Sequence, residues 1–555
     1  MTDMNSEMTV LNYLDLHAAQ QPYEEFLVDR VDGQDSGYSF AAVHGIVEAA
    51  ARSLAALFPG TGSTISILGK NRAHWAMCDL AVLRSGNILA PVFTTMPVAT
   101  FRYAIEFTAI RLLFVGEAGN WDDVKEQIPE DVIIVTLPGL DLEEADYTFE
   151  SFLDLGVNTT LPDHPDMDAP CTIVFTSGTT GMPKGVVHSL RTLDAFVSAV
   201  CRFAGKQSRF FSYLPLAHLG DRAATVFQAT QVGGRLTFNE SVDTFTTDMT
   251  AAAPTFLMGV PRIWEKLLQG VLVRTGVDDK TLKARLAEAG GKELARQIRA
   301  SLGLQDIDFL VAATAPTPNA TKEWYARLGM PLHDVYGQTE LCPLTCSPPA
   351  PDGSAGVGPA CAGFEVKIAD SGEVLGRGPA IALGYYNNPE KTAETFVDGW
   401  VHTGDKGYFD DQGNLHITGR VQDTFKTAKG KYVAPVPIEN AFSRSALVEQ
   451  QCLYGFALTQ PVMLCSLSES ASADRGAVEQ QLTALAAEIN AGLEPHERMA
   501  GIIICATPWS VESGVLTHTL KVKRDCVADA YREEIETVAS SMAGSGGRIE
   551  TLWAS

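Results

Sequence analysis

The chain has 555 residues, of which 46% are hydrophobic and 20% charged, and its formal charge is −25. This length exceeds what one hydrophobic core usually serves, so two or more folding units are expected, and the composition excludes a disordered or fibrous protein. The acidic balance argues against nucleic acid as a partner and against a general anionic-membrane surface, while leaving room for a locally positive pocket.

The first ten residues lack the basic segment and apolar stretch of a signal peptide. No uninterrupted apolar run approaches the roughly 20 residues that span a bilayer. Ten cysteines are scattered singly, which fits free thiols in a reducing, cytoplasmic setting. Cys342 and Cys346 lie close together but have no second pair at zinc spacing.

In chain order, Thr64 to Leu68 reads as a strand and Ala73 to Arg84 as a helix with Trp75, Leu80 and Leu83 on its buried stripe. Ile88 to Phe93, Arg111 to Val115 and Val132 to Val135 follow as strands. This rhythm predicts an α/β fold built from βαβ units. Residues 280–299 carry Lys280, Lys283, Arg285, Lys292, Arg296 and Arg299, interleaved with Leu282, Leu286, Leu294 and Ile298 at helical spacing. A solvated helix face over a core stripe is the expected reading, with a peripheral membrane or partner surface as the alternative.

Turn signals then crowd the sequence at Asn387-Asn388-Pro389, Asp398-Gly399 and Asp410 to Gly413, which predicts a small antiparallel β region of hairpins. A boundary is expected there, with residues 1–419 as a large N-terminal domain and 420–555 as a smaller α+β domain. In that second part Leu482 to Leu493 reads as a helix, Gly501 to Cys505 as a strand and Ala543 to Gly547 as a flexible tail.

The strongest local signal is the run Thr176-Ser177-Gly178-Thr179-Thr180-Gly181-Met182-Pro183-Lys184-Gly185, which follows the apolar Ile173-Val174-Phe175. Glycines let backbone N–H groups turn toward a ligand, the hydroxyls add donors for phosphate oxygens, and Lys184 supplies a point charge. It is not a Walker loop, because Gly185 stands where a hydroxyl should follow the lysine.

With this loop the chain resembles the adenylate-forming superfamily of acyl-CoA synthetases, adenylation domains and luciferases. The likeness continues in order from about residue 64 to about residue 530. It is nearest to long-chain fatty acyl-CoA synthetases in Tyr213 to Arg222, Gly259 to Lys266 and Leu516 to Arg524. The resemblance implies ATP and coenzyme A as co-substrates, Mg²⁺ as metal, and a large N-terminal domain followed by a mobile C-terminal one.

It also implies roles for individual residues. Thr176, Ser177, Gly178, Thr179, Thr180 and Lys184 would hold phosphates. In Asp334-Val335-Tyr336-Gly337-Gln338-Thr339-Glu340, Tyr336 would stack on adenine, Asp334 or a neighbouring carbonyl would accept its amine, and Gly337, Gln338 and Thr339 would complete the nucleotide site. Glu340 would hold Mg²⁺ with Thr176 or the phosphates. Ala315 would wall the adenine pocket, in a stretch (Ala313-Thr314-Ala315-Pro316) where relatives usually carry a glycine pair. Asp405 and Arg420 would bind ribose, with Lys426 also on the nucleotide side. His218 and Gly259 fall in the acyl pocket, Gly430 on the coenzyme A side, and Gln422 at the hinge where many relatives carry Asp or Lys. Lys521 is the catalytic candidate, acting with Thr339 and Glu340; Lys523 and Arg524 are the neighbours a one-position misalignment would pick instead.

The activity implied is conversion of a medium- or long-chain fatty acid to its coenzyme A thioester through acyl-AMP. Delivery of the acyl group to a carrier protein or another nucleophile is the alternative. A silent nucleotide-binding scaffold would be expected to have lost Lys184, Glu340 or Lys521, and all three are present.

Overall fold

A computed structural model describes residues 8–554 except 163–164, 177–181, 201–203, 206, 316, 342, 349, 351–353, 446, 469–470, 472–473, 512, 518–520 and 542–548. The chain forms two compact units. The first comprises Met1–Val366 and Gly376–His402, the second Lys367–Leu375 and Thr403–Ser555.

The first unit contains two eight-stranded sheets. In one, six parallel strands run in the order Leu332–Tyr336, Phe309–Ala313, Phe256–Gly259, Arg209–Ser212, Arg235–Phe238, Glu25–Val31, and one antiparallel strand closes each edge. In the other, Pro170–Thr176, Ile88–Leu89, Thr64–Leu68, Leu112–Val115, Ile133–Thr136 and Tyr147–Thr148 are parallel, and Lys184–Ser189 and Gly384–Tyr385 add an antiparallel edge. Thr64–Leu68 is buried along its whole length, as expected of a parallel strand covered on both faces. The expected strand from Ile88 to Phe93 is cut short at Leu89. Pro91 has no N–H to donate, although Ala90 and Val92 still bond to the carbonyls of Ile65 and Ile67.

Helix Ala73–Arg84 has the predicted bounds, and its first N–H is capped from a distant strand by Asp29 Oδ1 at 2.9 Å. Among the described residues one helix, Phe40–Leu57, is long and apolar enough to cross a membrane. Here its Phe40, Val43, Val47, Ala50, Ala51 and Leu54 are buried, and it packs on Ala73–Arg84. The basic segment forms helices Asp279–Ala287 and Gly291–Ser301, with Leu282, Ala295 and Ile298 in the core around Trp264 and Trp324. Among its charges, Lys283 pairs with Asp279 and Arg296 with Glu293 on exposed faces.

In the second unit, the hairpin that strand Trp400–Phe409 forms from Thr403 onward with Leu415–Arg420 is fastened to residues 367–375. Thr403 Oγ1 donates to the Val374 carbonyl at 2.7 Å, and Gly404 N–H to Glu373 Oε1 at 2.9 Å. The line between units therefore falls at His402/Thr403, upstream of position 419/420. Beyond the hairpin lies a four-stranded sheet ordered Val448–Tyr454, Val462–Leu467, Gly501–Cys505, Glu550–Ala554. Ile502 and Ile504 point to a core with Leu482 and Phe442, and Ile503 and Cys505 to one with Val527 and Val538. Burial on both faces explains the unbroken apolar run. The expected helix from Leu482 to Leu493 is Arg475–Ala491, started by the Asp474 cap. Ala543 to Gly547 lie outside the described residues, but Glu550–Ala554 returns as a strand parallel to Gly501–Cys505.

Candidate active site

Within the first unit, the proposed nucleotide and acyl residues cluster at the carboxyl ends of neighbouring parallel strands, where open α/β sheets generally take their ligands. Ser212, Gly259, Ala313 and Tyr336 each end one of four adjacent strands. Gly259 sits where a Cβ would come within 2.9 Å of the Trp264 ring and of the Tyr213 hydroxyl. That hydroxyl donates to the Met258 carbonyl at 3.0 Å. The next segment carries His218, whose Nδ1 accepts from Gly220 N–H at 3.1 Å and caps the short helix Leu219–Arg222. A π-helical turn, Ala223–Phe227, follows at once.

This segment is anchored by charges the sequence did not single out. Arg222 and Asp79 form a two-bond ion pair with both side chains 0% exposed, and Arg222 also donates to Thr172 Oγ1 at 2.9 Å. Beside it, Asp221 Oδ2 accepts from Ser212 Oγ at 2.9 Å, and burial pushes its carboxyl up to about 8.

The phosphate-loop run joins two antiparallel strands, with Thr176 opposite Lys184 in register. It thus leads into a strand, unlike the Walker loop, which leads into a helix. Ser177, Gly178, Thr179 and Thr180 lie outside the described residues. Lys184 Nζ lies 5.5 Å from the centroid of the Tyr385 ring, and the Tyr385 hydroxyl donates to Glu340 Oε1 at 2.7 Å. One tyrosine therefore touches both the loop lysine and the glutamate. His188 makes a second link. Its Nε2 donates to the Thr339 carbonyl at 2.7 Å, and its Nδ1 lies 3.0 Å from Thr192 Oγ1. Burial holds the imidazole down at about 4, hence neutral. Thr176, Lys184, Thr339 and Glu340 are in this way brought together by two residues that sequence reading missed. Each acts across a long sequence separation, so no local pattern marks it.

Tyr336 ends its strand and is followed by Gly337 and Gln338 in a loop. Asp334 is buried, and its carboxylate already accepts from Thr317 Oγ1 at 2.7 Å and pairs with Lys322. Burial raises its carboxyl, with Lys322 and Thr317 pulling the other way. Ala315 follows Thr314, which stands at φ +77°, a left-handed backbone rare for a β-branched residue.

The second unit groups a further set. Asp405 and Arg420 are direct partners in the hairpin register, with Arg420 Nε 2.9 Å from Asp405 Oδ1 and Arg420 51% exposed. Gly404 turns at φ +68° so that its carbonyl can accept from Val421 N–H at 2.7 Å. The Lys521 N–H donates to Thr517 Oγ1 at 3.0 Å. Burial lowers the Lys521 ammonium, and Arg420 adds to this while Asp405 opposes it, so the lysine lies within the field of the Asp405–Arg420 pair. Arg524, three residues on, is committed elsewhere, to Glu439 by two hydrogen bonds and to the Leu453 carbonyl at 2.6 Å. Gln422 occupies an exposed turn after the hairpin. Lys426 pairs in register with Tyr432 and lies over its ring, and Gly430 turns at φ +75° between those two strands.

Residues 14–386 match the AMP-binding enzyme family, and residues 422–542 match the C-terminal domain of AMP-binding enzymes. The long-chain-fatty-acid–CoA ligase ACSBG2 of Xenopus laevis is 26% identical, over 85% of this chain and 76% of that protein. The long-chain-fatty-acid–CoA ligase FadD15 of Mycobacterium tuberculosis is also 26% identical, over 92% of this chain and 93% of its own length. Among solved structures, the A-PCP didomain of a carboxylic acid reductase from Segniliparus rugosus in complex with AMP shares the fold. Its TM-score is 0.81 at 21% identity, covering 97% of this chain and 83% of that one. On the match to residues 14–386, this chain is a member of the AMP-binding enzyme family.

Proposed function

We propose that this protein is an ATP-dependent acyl-CoA synthetase. A fatty acid of medium or long chain attacks the α-phosphorus of ATP, pyrophosphate leaves, and the thiol of coenzyme A then displaces AMP from the acyl-adenylate. The observation that carries this reading is the pair of links, His188 to Thr339 and Tyr385 to Glu340, that sets the phosphate hairpin against the 334–340 motif.

In this reading Lys184 and the loop after Thr176 take the triphosphate, while Tyr336, Gly337, Gln338 and Ala315 take the adenine. Thr339 reaches phosphate. The ribose falls to Asp405, whose carboxylate can accept from both sugar hydroxyls while Arg420 holds it in place. Glu340 and Thr176 are hard oxygen donors, suited to the magnesium that enters with ATP. Tyr385 holds Glu340 by a hydrogen bond to one carboxylate oxygen. Lys521 places a cation where negative charge builds in the transition state, an effect typically worth about 3–4 kcal/mol. Gly259 and His218 belong to the acyl side, Lys426 to the nucleotide side and Gly430 to the coenzyme A side. The protein works in the cytoplasm.

Pyrophosphate release over a panel of acids from acetate to palmitate, with and without free coenzyme A, tests the reading. Release that depends on a longer-chain acid, with a thioester formed when coenzyme A is added, is the expected result. Acyl-AMP that accumulates unchanged in its presence would instead favour a carrier protein as acceptor. Lys521→Ala should lower acyl-AMP formation about 100-fold or more and spare thioester formation from supplied acyl-AMP.

A further inference from the structure

Lys322 is a buried lysine to which neither the fold nor the adenylation reading gives a task. It sits on helix Asn319–Arg327 and pairs with Asp334 Oδ2, the two side chains being 8% and 7% exposed. The other carboxylate oxygen, Oδ1, accepts from Thr317 Oγ1 at 2.7 Å. An ammonium this deep is tolerated only opposite a charged partner, so the pair fixes Asp334 as a carboxylate, with one donor on each oxygen. An ionised carboxylate accepts hydrogen bonds and donates none.

The placement of the pair suggests what this is for. Asp334 and Tyr336 are two apart on one strand, so their side chains leave the same face. The segment that supplies Thr317 also contains Thr314 at φ +77°. Such backbone persists only where its surroundings over-determine it. Ala313 is held by its register with Val335, and Thr317 by its bond to Asp334.

We propose that Lys322 is a positioning residue that holds Asp334 as an acceptor-only carboxylate at the nucleobase, so that the site selects a 6-amino purine over a 6-oxo purine. The exocyclic amine of adenine donates to the carboxylate, whereas a 6-oxo group would set one acceptor against another. This rests on the adenylation reading, in which the 334–340 motif meets the base.

The test compares ATP with inosine triphosphate, as kcat/KM for pyrophosphate release and as Kd by calorimetry. Sites built to hydrogen-bond a substrate group reject analogues lacking it strongly, so the wild-type protein should prefer ATP by about 100-fold or more. K322M and D334N should each cut that ratio by about tenfold or more, the latter because an amide can donate to the 6-oxo group. K322R, which restores the cation, should stay within about threefold of wild type. The double variant K322M/D334N carries no unpaired buried charge, so it guards against simple unfolding. Wild-type preference retained in K322M, D334N and the folded double variant would overturn the proposal. So would equal binding of the two nucleotides by the wild type. Failure of the wild type to release pyrophosphate with any acid would sink the adenylation reading alone, because the calorimetric ratio still reads the role of Lys322.

Discussion

Two aspartate–arginine pairs in this protein share their chemistry and differ in their surroundings. Asp79 and Arg222, in the first unit, are fully enclosed, joined by two hydrogen bonds, and backed by Thr172. Asp405 and Arg420, in the second, face each other across a hairpin, with the aspartate buried and half of the arginine open to water. The dry pair has no solvent to replace a lost partner, so it can serve only as a fastening. In the half-wet pair the exposed arginine can rearrange around a ligand while the aspartate stays fixed. Burial, more than residue type, separates the closed pair from the half-open one.

The largest expected effect would break this contrast most directly. Asp79→Ala should cost about 3–5 kcal/mol in a denaturant titration, since it leaves a buried guanidinium unpaired. Arg420→Ala should cost under about 1 kcal/mol and raise the KM for ATP by about tenfold. Equal losses of stability in the two variants would erase the distinction.

The next test sharpens the dry side. His188 is held near 4 by burial, against 6.5 when free. The unfolded chain therefore binds more protons between those values, and stability is lost as pH falls through that window, by up to about 3 kcal/mol. Denaturant midpoints for wild type and His188→Gln between pH 4 and 7 should show the acid limb flatten in the variant.

A smaller loss is expected where packing rather than charge is tight. Gly259→Ala should cost about 1–3 kcal/mol because the new methyl meets Trp264 and Tyr213, and it should shift the preferred acid toward shorter chains. The smallest effect has the opposite sign. Thr314→Gly should gain about 1 kcal/mol in melting experiments by relieving the left-handed backbone, and no gain would mean that the turn is not strained.

What the sequence made legible followed from how local the determining physics was. Thr64–Leu68, Ala73–Arg84 and Gly501–Cys505 could be read with correct bounds because each apolar pattern is complete within its own span. Glu550–Ala554 could not, since Glu550 and Thr551 weaken its apolar signal and the strand exists only through its neighbour at 501–505. Among the candidate residues, the order of the motifs singled out Lys184, Glu340, Asp405 and Lys521. Lys322, His188 and Tyr385 were hidden for a different reason. Their partners lie 12, 151 and 45 positions away, so only the folded chain shows what each one holds.

The late strand Glu550–Ala554 has a consequence for the order of events during synthesis. The first unit is complete in sequence by His402 and can fold while the ribosome is still translating, as N-terminal domains generally do. The second unit cannot, because Gly501–Cys505 stays an open edge until residue 554 has emerged. Until then Gly501-Ile502-Ile503-Ile504-Cys505 is an uncharged, β-prone stretch with free backbone groups, the kind of edge that recruits other chains. Truncation just before residue 550 should therefore show itself first as insolubility, before any loss of chemistry can be measured.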